Sequence, residues 1–300
     1  MALVVALAAC QKEKEQMDVV VGGEVDMVVN VNVPSSTRAG SEKGIFESGL
    51  LDGEAKTMRY ILQVFYTDEN NKTHKTTPQT KYTNNSNVAF NVRLTPNRDY
   101  TFVVWADVVE GVDAGDWHYN TTDLNNITII DTDTANWVAM DETRDAFTAT
   151  HFEQNFTSSS VINIPLRRPN AKLRVKTTDW DTTAGMPTKA RVTYKTEHRT
   201  AFNAYTGEVA KATLEAKEHT YTIDNTYGES DTERTLFCDY FFASEDGDEV
   251  EFNMELLDGN DTKIKVINFN TEIPVKRNHL TTIQGNLLSS GEGDSTITEN

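Results

Sequence analysis

From Val19 onward, apolar positions recur at every second residue, in short runs rich in Val, Ile, Thr, Tyr and Phe that are punctuated by Asn, Asp, Gly and Thr. A period of two sends successive side chains to opposite faces, the pattern of a half-buried strand. The i, i+3, i+4 recurrence of an amphipathic helix is almost absent. Twelve runs predict strands: Val25 to Val33, Tyr60 to Tyr66, Val88 to Leu94, Tyr100 to Val108, Ile127 to Ile130, Val161 to Leu166, Ala171 to Lys176, Ala190 to Tyr194, Thr220 to Ile223, Thr235 to Ala243, Val250 to Leu257 and Lys263 to Phe269. So many short strands at this spacing imply an all-β fold built from sandwiches. Gly207 to Glu218 reads as a short helix or an irregular strand, and Val112 to Leu124 as a long polar loop carrying Trp117.

A boundary is expected at Arg167-Arg168-Pro169-Asn170. There a strand ends at Leu166, a proline that cannot donate to a ladder follows, and another strand begins at Ala171. Single cores stop growing near ~250–300 residues, which suits two domains here. The expected division is an N-terminal sandwich over 19–168, a C-terminal sandwich over 169–288 and a flexible tail over 289–300, where Ser-Ser-Gly-Glu-Gly-Asp opens the tail.

Composition narrows the function. The chain has 38% hydrophobic and 9% aromatic residues, enough for a substantial core. Its 28 basic against 46 acidic residues give a formal charge of −18, which repels phosphate backbones and argues against nucleic acid as a partner. The acidic residues are dispersed, as on a solvated surface. The six histidines are scattered without a His-x-x-x-His pair, there is no Gly-x-Ser-x-Gly elbow, and no nucleophile has a recognisable base, so neither an enzyme nor a cofactor is expected. Asp131-Thr132-Asp133 and Asp258-Gly259-Asn260-Asp261 carry calcium-type ligands but repeat no EF-hand loop, and turn chemistry accounts for them.

Two segments carry chemistry of their own. Met1 to Ala9 is uncharged and apolar, ends in Leu7-Ala8-Ala9-Cys10, and gives way to Gln11-Lys12-Glu13-Lys14. This is the pattern of a lipoprotein signal over residues 1–10. Small residues before the cysteine admit the backbone to the signal peptidase, and the Cys10 thiol takes the lipid that anchors the protein in the outer membrane. The stretch is far shorter than the ~20 residues of a spanning helix. The other cysteine, Cys238, lies in Leu236-Phe237-Cys238-Asp239-Tyr240-Phe241-Phe242, where it is expected as a buried strand thiol. In the second segment, Val25, Met27, Val29, Val31 and Val33 share one strand face, and Asp26, Asn30 and Asn32 share the other with Val28. Directly after comes Pro34-Ser35-Ser36-Thr37-Arg38-Ala39-Gly40, a polar loop whose single arginine suits a trypsin-like protease. An ordinary loop arginine and a permanent first strand are the alternatives.

At this point the chain resembles the fimbrillins of Bacteroidetes, the type V pilins and their lipoprotein relatives. The resemblance is carried by the lipobox at Cys10, the early strand before Thr37-Arg38-Ala39-Gly40, the strand Tyr100 to Asp107, the junction Ile164 to Leu173 and the late segment Val275 to Leu288. It implies two tandem transthyretin-like (Greek-key) β-sandwich domains. It also implies cleavage between Arg38 and Ala39 by a trypsin-like processing protease, which removes the strand of Val25, Met27, Val29, Val31 and Val33 with its anchor. A strand from another pilin subunit then fills the groove, at the cell surface or in a fimbrium. Beyond Leu288 the tail offers only Ile297 as an apolar donor, which suits a tip or minor subunit better than a stalk subunit.

A reading from another class is a monomeric surface lipoprotein that binds a host or bacterial surface glycan or protein. Trp105 is expected in a core, and the loop residues Trp117, Trp137 and Trp180 are the better binding candidates. Asn120-Thr121-Thr122, Asn155-Phe156-Thr157, Asp133-Thr134-Ala135 and Asp181-Thr182-Thr183 are triplets of glycosylation type.

Overall fold

The computed structural model describes residues 23–34, 44–53, 55–130, 139–181, 185–210, 218–223, 230–269, 272–289 and 295–299. Before Pro169 the strands are β1 (Val25–Asn32), β2 (Thr57–Thr67), β3 (Thr73–Lys75), β4 (Gln79–Tyr82), β5 (Asn87–Leu94), β6 (Arg98–Val109), β7 (Tyr119–Asn120), β8 (Ile127–Ile129), β9 (Ala146–Phe156) and β10 (Ser160–Pro165). After it come β11 (Asn170–Thr177), β12 (Lys189–Tyr194), β13 (Ala201–Asn203), β14 (Glu208–Ala210), β15 (Glu218–Thr222), β16 (Arg234–Phe242), β17 (Asp248–Val250), β18 (Phe252–Leu257), β19 (Lys263–Asn268), β20 (Ile273–Val275), β21 (Leu280–Gly285) and β22 (Ser295–Glu299). One 3-10 turn, Glu142–Arg144, is capped by Asp141, whose side chain accepts from the Thr143 N–H. The fold is all-β, and every run expected as a strand contains one.

Two layers close over the first core. Sheet β10-β1-β5 contributes Met27, Val29, Val31, Phe90 and Val92, and sheet β3-β2-β6-β9 contributes Met58, Tyr60, Leu62, Phe102 and Val104. The second core lies between β16-β11-β21-β22 and β15-β12-β18-β19, through Leu173, Val175, Phe237 and Ile283 on one side and Val192, Tyr194, Met254 and Leu256 on the other. The pairing pattern recurs. In the first sheet β1 runs antiparallel to β5 and parallel to β10. In its counterpart β11 runs antiparallel to β16 and parallel to β21.

Across Pro169 the two sets of strands interlock. β13 pairs with both β14 and β8, forming the four-stranded sheet β14-β13-β8-β7 from residues on either side of the proline. Beneath it Trp105, fully buried, meets Tyr119 edge-on at 5.3 Å, Phe242 at 6.4 Å and Phe202 at 6.3 Å.

Sequence reading missed β9 because Ala-Phe-Thr-Ala-Thr-His-Phe-Glu-Gln-Asn-Phe spaces its large apolar residues irregularly. Its buried ends, Ala146, Phe147 and Phe156, follow from pairing with β6 rather than from local pattern. The tail needs correction as well. Residues 295–299 form β22, an edge strand antiparallel to β21, with Ile297 opposite Ile283. Just before it, Asp179 holds the chain. Its carboxylate accepts from the backbone N–H of Leu288 at 3.1 Å and of Ser289 at 2.6 Å, and from the Thr177 and Ser289 hydroxyls.

Burial alone would raise the Asp179 carboxyl, but these hydrogen bonds outweigh it and hold the group below its ordinary 3.8. A depressed folded value means that the stabilisation is fully present above 3.8 and is lost as the pH falls through the folded value. Hydrogen exchange is therefore expected to show β21 and β22 amides losing protection below about pH 4 before the core strands do. Asp179→Asn is expected to show the same local loss already at pH 7. Equal protection in the two proteins would remove Asp179 as the clamp.

Candidate functional site

The alternation in Glu24 to Val33 is realised as one buried and one solvated face. Met27, Val29, Val31 and Val33 are each at most 1% exposed, and Val25 is half-buried against the same core. What the alternation could not show is the position of β1. It is the middle strand of its sheet, paired in register with β10 from Met27↔Ser160 to Asn32↔Pro165 and with β5 from Val25↔Leu94 to Asn32↔Asn87. Beyond its end, the Val33 N–H donates to the Ser86 carbonyl at 2.8 Å, and the Asn32 carbonyl accepts from the Leu166 N–H at 2.8 Å. Removing β1 therefore opens a slot with a ladder of unpaired N–H and C=O groups on each wall and an apolar floor.

The solvated face of the slot carries a short carboxamide ladder. Asn30 Nδ2 donates to Asn163 Oδ1 at 3.0 Å, and Asn32 Nδ2 donates to Asn87 Oδ1 at 2.5 Å. Asn163 and Asn87 went unnoticed in the sequence because their significance depends on register with β1. The signal was present only on the β1 side, as two asparagines spaced by two. Asp26 and Arg93 pair at 3.3 Å, but both are largely exposed, so water screens the contact.

The counterpart of β1 in the second set, β11, is also a middle strand, but its chain continues at once from β10 through Pro169. β1 is attached at its C-terminal end alone to the strands that surround it. Cys10, Arg38 and Ala39 lie outside the described residues.

The other candidates sort by burial. Cys238 is a thiol with no exposure, in β16, as expected. Trp105 is in a core, also as expected. Trp117 is half-buried, stacked on His118 at 4.1 Å, with Lys56 Nζ 5.9 Å from its ring centroid. Trp137 lies outside the described residues. Trp180 corrects the sequence reading. It is 6% exposed, belongs to the second core and sits under the Arg234 guanidinium at 5.0 Å, so it offers no binding platform. Its backbone N–H donates to the Thr232 carbonyl, which folds the segment back onto the sandwich.

Asp258-Gly259-Asn260-Asp261 is the β18–β19 turn. One Asp258 oxygen accepts from the N–H groups of Asn260 and Thr262, both at 2.8 Å, and Asp261 pairs with Lys189 at 2.6 Å. Asp131 and Asp133 lie outside the described residues. Among the described residues no group of three or more His, Cys, Asp or Glu is placed to hold a metal ion, and no helix is long and apolar enough to cross a membrane.

One family model matches residues 16–300, and its description is a family of unknown function, DUF6562. The chain belongs to that family. No curated protein matches it. Among solved structures, a candidate cell adhesion protein from Bacteroides ovatus superposes with a TM-score of 0.52 at 14% identity, over 93% of this chain and 96% of that one. A structure of candidate polysaccharide binding proteins (DUF1812) from Bacteroides thetaiotaomicron gives 0.50 at 10% identity, over 92% and 96%. The fimbrial anchor protein Mfa2 from Porphyromonas gingivalis gives 0.46 at 12% identity, over 92% and 97%. The likeness to the first two of these structures is one of fold.

Proposed function

We propose that this chain is a structural, adhesive subunit of a surface fimbrium, made as a lipoprotein anchored through Cys10 in the outer membrane and assembled by strand exchange. In this reading, residues 19–168 and 169–288 are tandem transthyretin-like domains, and the strands recurring on either side of Pro169 support that division. A trypsin-like protease cuts between Arg38 and Ala39, β1 leaves with its anchor, and a strand from another pilin subunit takes the slot.

The observation that carries this reading is the place of β1. A central strand, buried along one face, precedes in the chain both strands that pair with it, and the polar segment that contains Arg38 lies between. A single cut severs that link, and the slot then selects an extended segment of matching alternation that displaces β1. Ile297 is the one large apolar residue of β22 and is 38% exposed there, so β22 is a poor donor strand, in keeping with a tip or minor subunit.

The test is the N-terminus of the protein recovered in the sheared surface fraction of cells that express it. Ala39 as the first residue, in a species larger than the monomer, is the expected result. A lipidated Cys10 start in a monomer would instead favour a tethered lipoprotein that binds glycan, the reading that the name of the Bacteroides thetaiotaomicron neighbour brings to mind.

A further inference from the structure

Where the two sets of strands meet, a cleft of about 370 Å³ opens between β9, the end of β10, the β13–β14 turn and the turns that carry Glu245 and Arg277. Its volume falls at the small end of the ~300–1,000 Å³ range of ligand sites. In a chain of formal charge −18 its lining is basic: Arg167, Arg168 and Arg277 face a single acid, Glu245, with His151 beside them.

These groups are not equivalent. Arg168 is already neutralised, with Nε 2.8 Å from both Asp145 oxygens and Nη2 at 2.7 Å. His151 leans on Glu153 at 3.4 Å. Arg167 is exposed, and its side chain makes no hydrogen bond or ion pair with any described residue, although its backbone bridges to Thr148.

Arg277 is 8% exposed, with its guanidinium 5.0 Å over the Phe202 ring and Nε donating to the Ala243 carbonyl at 3.0 Å. Its charge is answered by Glu245, at 3.4 Å and with that side chain 69% exposed, and through space by Asp248. Burial accordingly pulls the guanidinium below its ordinary value despite Glu245. Above it stands Gly207, at φ +75°, where a Cβ would lie 3.7 Å from Nη1.

We propose that this cleft binds a carboxylate-bearing sugar, a uronic acid residue of an acidic polysaccharide, with the carboxylate held between Arg167 and Arg277 and ring hydroxyls on Glu245. Guanidinium groups match a planar carboxylate, and an incompletely compensated one gains most from it. A site for a bare anion would not keep an exposed carboxylate at its edge, whereas a ligand with one charge and several hydroxyls uses both signs. The site does not depend on strand exchange and stands or falls separately from it.

The test is calorimetric titration of the full chain with digalacturonate, its methyl ester and a triglutamate peptide. Digalacturonate is expected to bind, and the ester at least about tenfold more weakly, since it lacks the charge that the arginines recognise. Arg167→Ala is expected to weaken digalacturonate about tenfold or more at an unchanged melting temperature, because the Arg167 side chain is exposed and pairs with no described residue. Arg167→Glu is expected to abolish binding. Three results would each overturn the proposal: no binding of digalacturonate, equal binding of acid and ester, or full affinity in Arg167→Ala. Tighter binding of triglutamate would reassign the cleft to an acidic peptide.

Discussion

Hydrolysis of the bond between Arg38 and Ala39 is expected to leave β1 in its slot, co-eluting with the rest of the chain and released only by denaturant or by a competing strand. Met27, Val29, Val31 and Val33 are each at most 1% exposed. At about 1.5–3 kcal/mol per fully buried side chain they represent roughly 6–12 kcal/mol, an upper bound because the unfolded segment is itself partly collapsed. Ladder hydrogen bonds on both edges add to this. Cleavage and departure are thus separate steps, and an incoming strand must displace β1 by pairing progressively along β5 and β10.

The experiment is gel filtration and mass spectrometry of the clipped protein, with and without a peptide of the β1 sequence carrying a label. Retention of β1 alone, and exchange for the labelled peptide over hours, is the expected pair of results. In a clipped Val29→Asp chain, a charge placed where Val29 has no exposure costs several kcal/mol, and retention is expected to fail. If wild-type β1 is lost on dilution, the slot does not hold a strand and assembly through it is ruled out.

The second large effect lies on the opposite sheet. Arg59 of β2 faces Asp107 of β6 in register, with Nε donating to Oδ1 at 2.9 Å and Nη2 to Oδ2 at 2.7 Å. The side chains are 6% and 0% exposed. Nη1 reaches Asp116 Oδ1 at 2.7 Å, and Asp116 in turn accepts from the Thr121 N–H and hydroxyl, which ties the loop before β7 to the sheet. Burial pushes the Asp107 carboxyl up, and the fork from Arg59 opposes that shift.

Arg59→Met is therefore expected to lower the unfolding free energy by about 3–5 kcal/mol, since it strands a buried charge rather than merely deleting a bond. Arg59→Met combined with Asp107→Leu is expected to recover most of that loss, because the stranded charge is gone. Urea unfolding of the three proteins checks both. A loss below about 1 kcal/mol in the single variant would mean that water reaches Asp107 and the pair is not the anchor of the loop.

What was legible in the sequence was local. The two-residue alternation in Val25 to Val33 named the buried face of β1 correctly, since a strand's faces depend only on parity along one segment. The apolar density around Cys238 likewise placed it in a buried strand. Trp180 was misread because it follows β11 in a polar stretch, Thr177-Thr178-Asp179-Trp180-Asp181, that looks exposed until the backbone bond to Thr232 turns it inward. The tail was misread because Ser295-Thr296-Ile297-Thr298-Glu299 has almost no apolar content, and only the open edge of β21 makes it a strand.

The sequence by itself therefore determined an all-β chain, its main strands and which side of β1 is apolar, since these rest on propensity and period within a few residues. Only the tertiary structure decided that β1 is a central strand, that Arg59 meets Asp107, that β13 crosses to β8 and that Arg167 and Arg277 share a cleft. Each of these is a matter of register or layer packing between segments far apart along the chain, and no local period encodes which distant partner a strand will have.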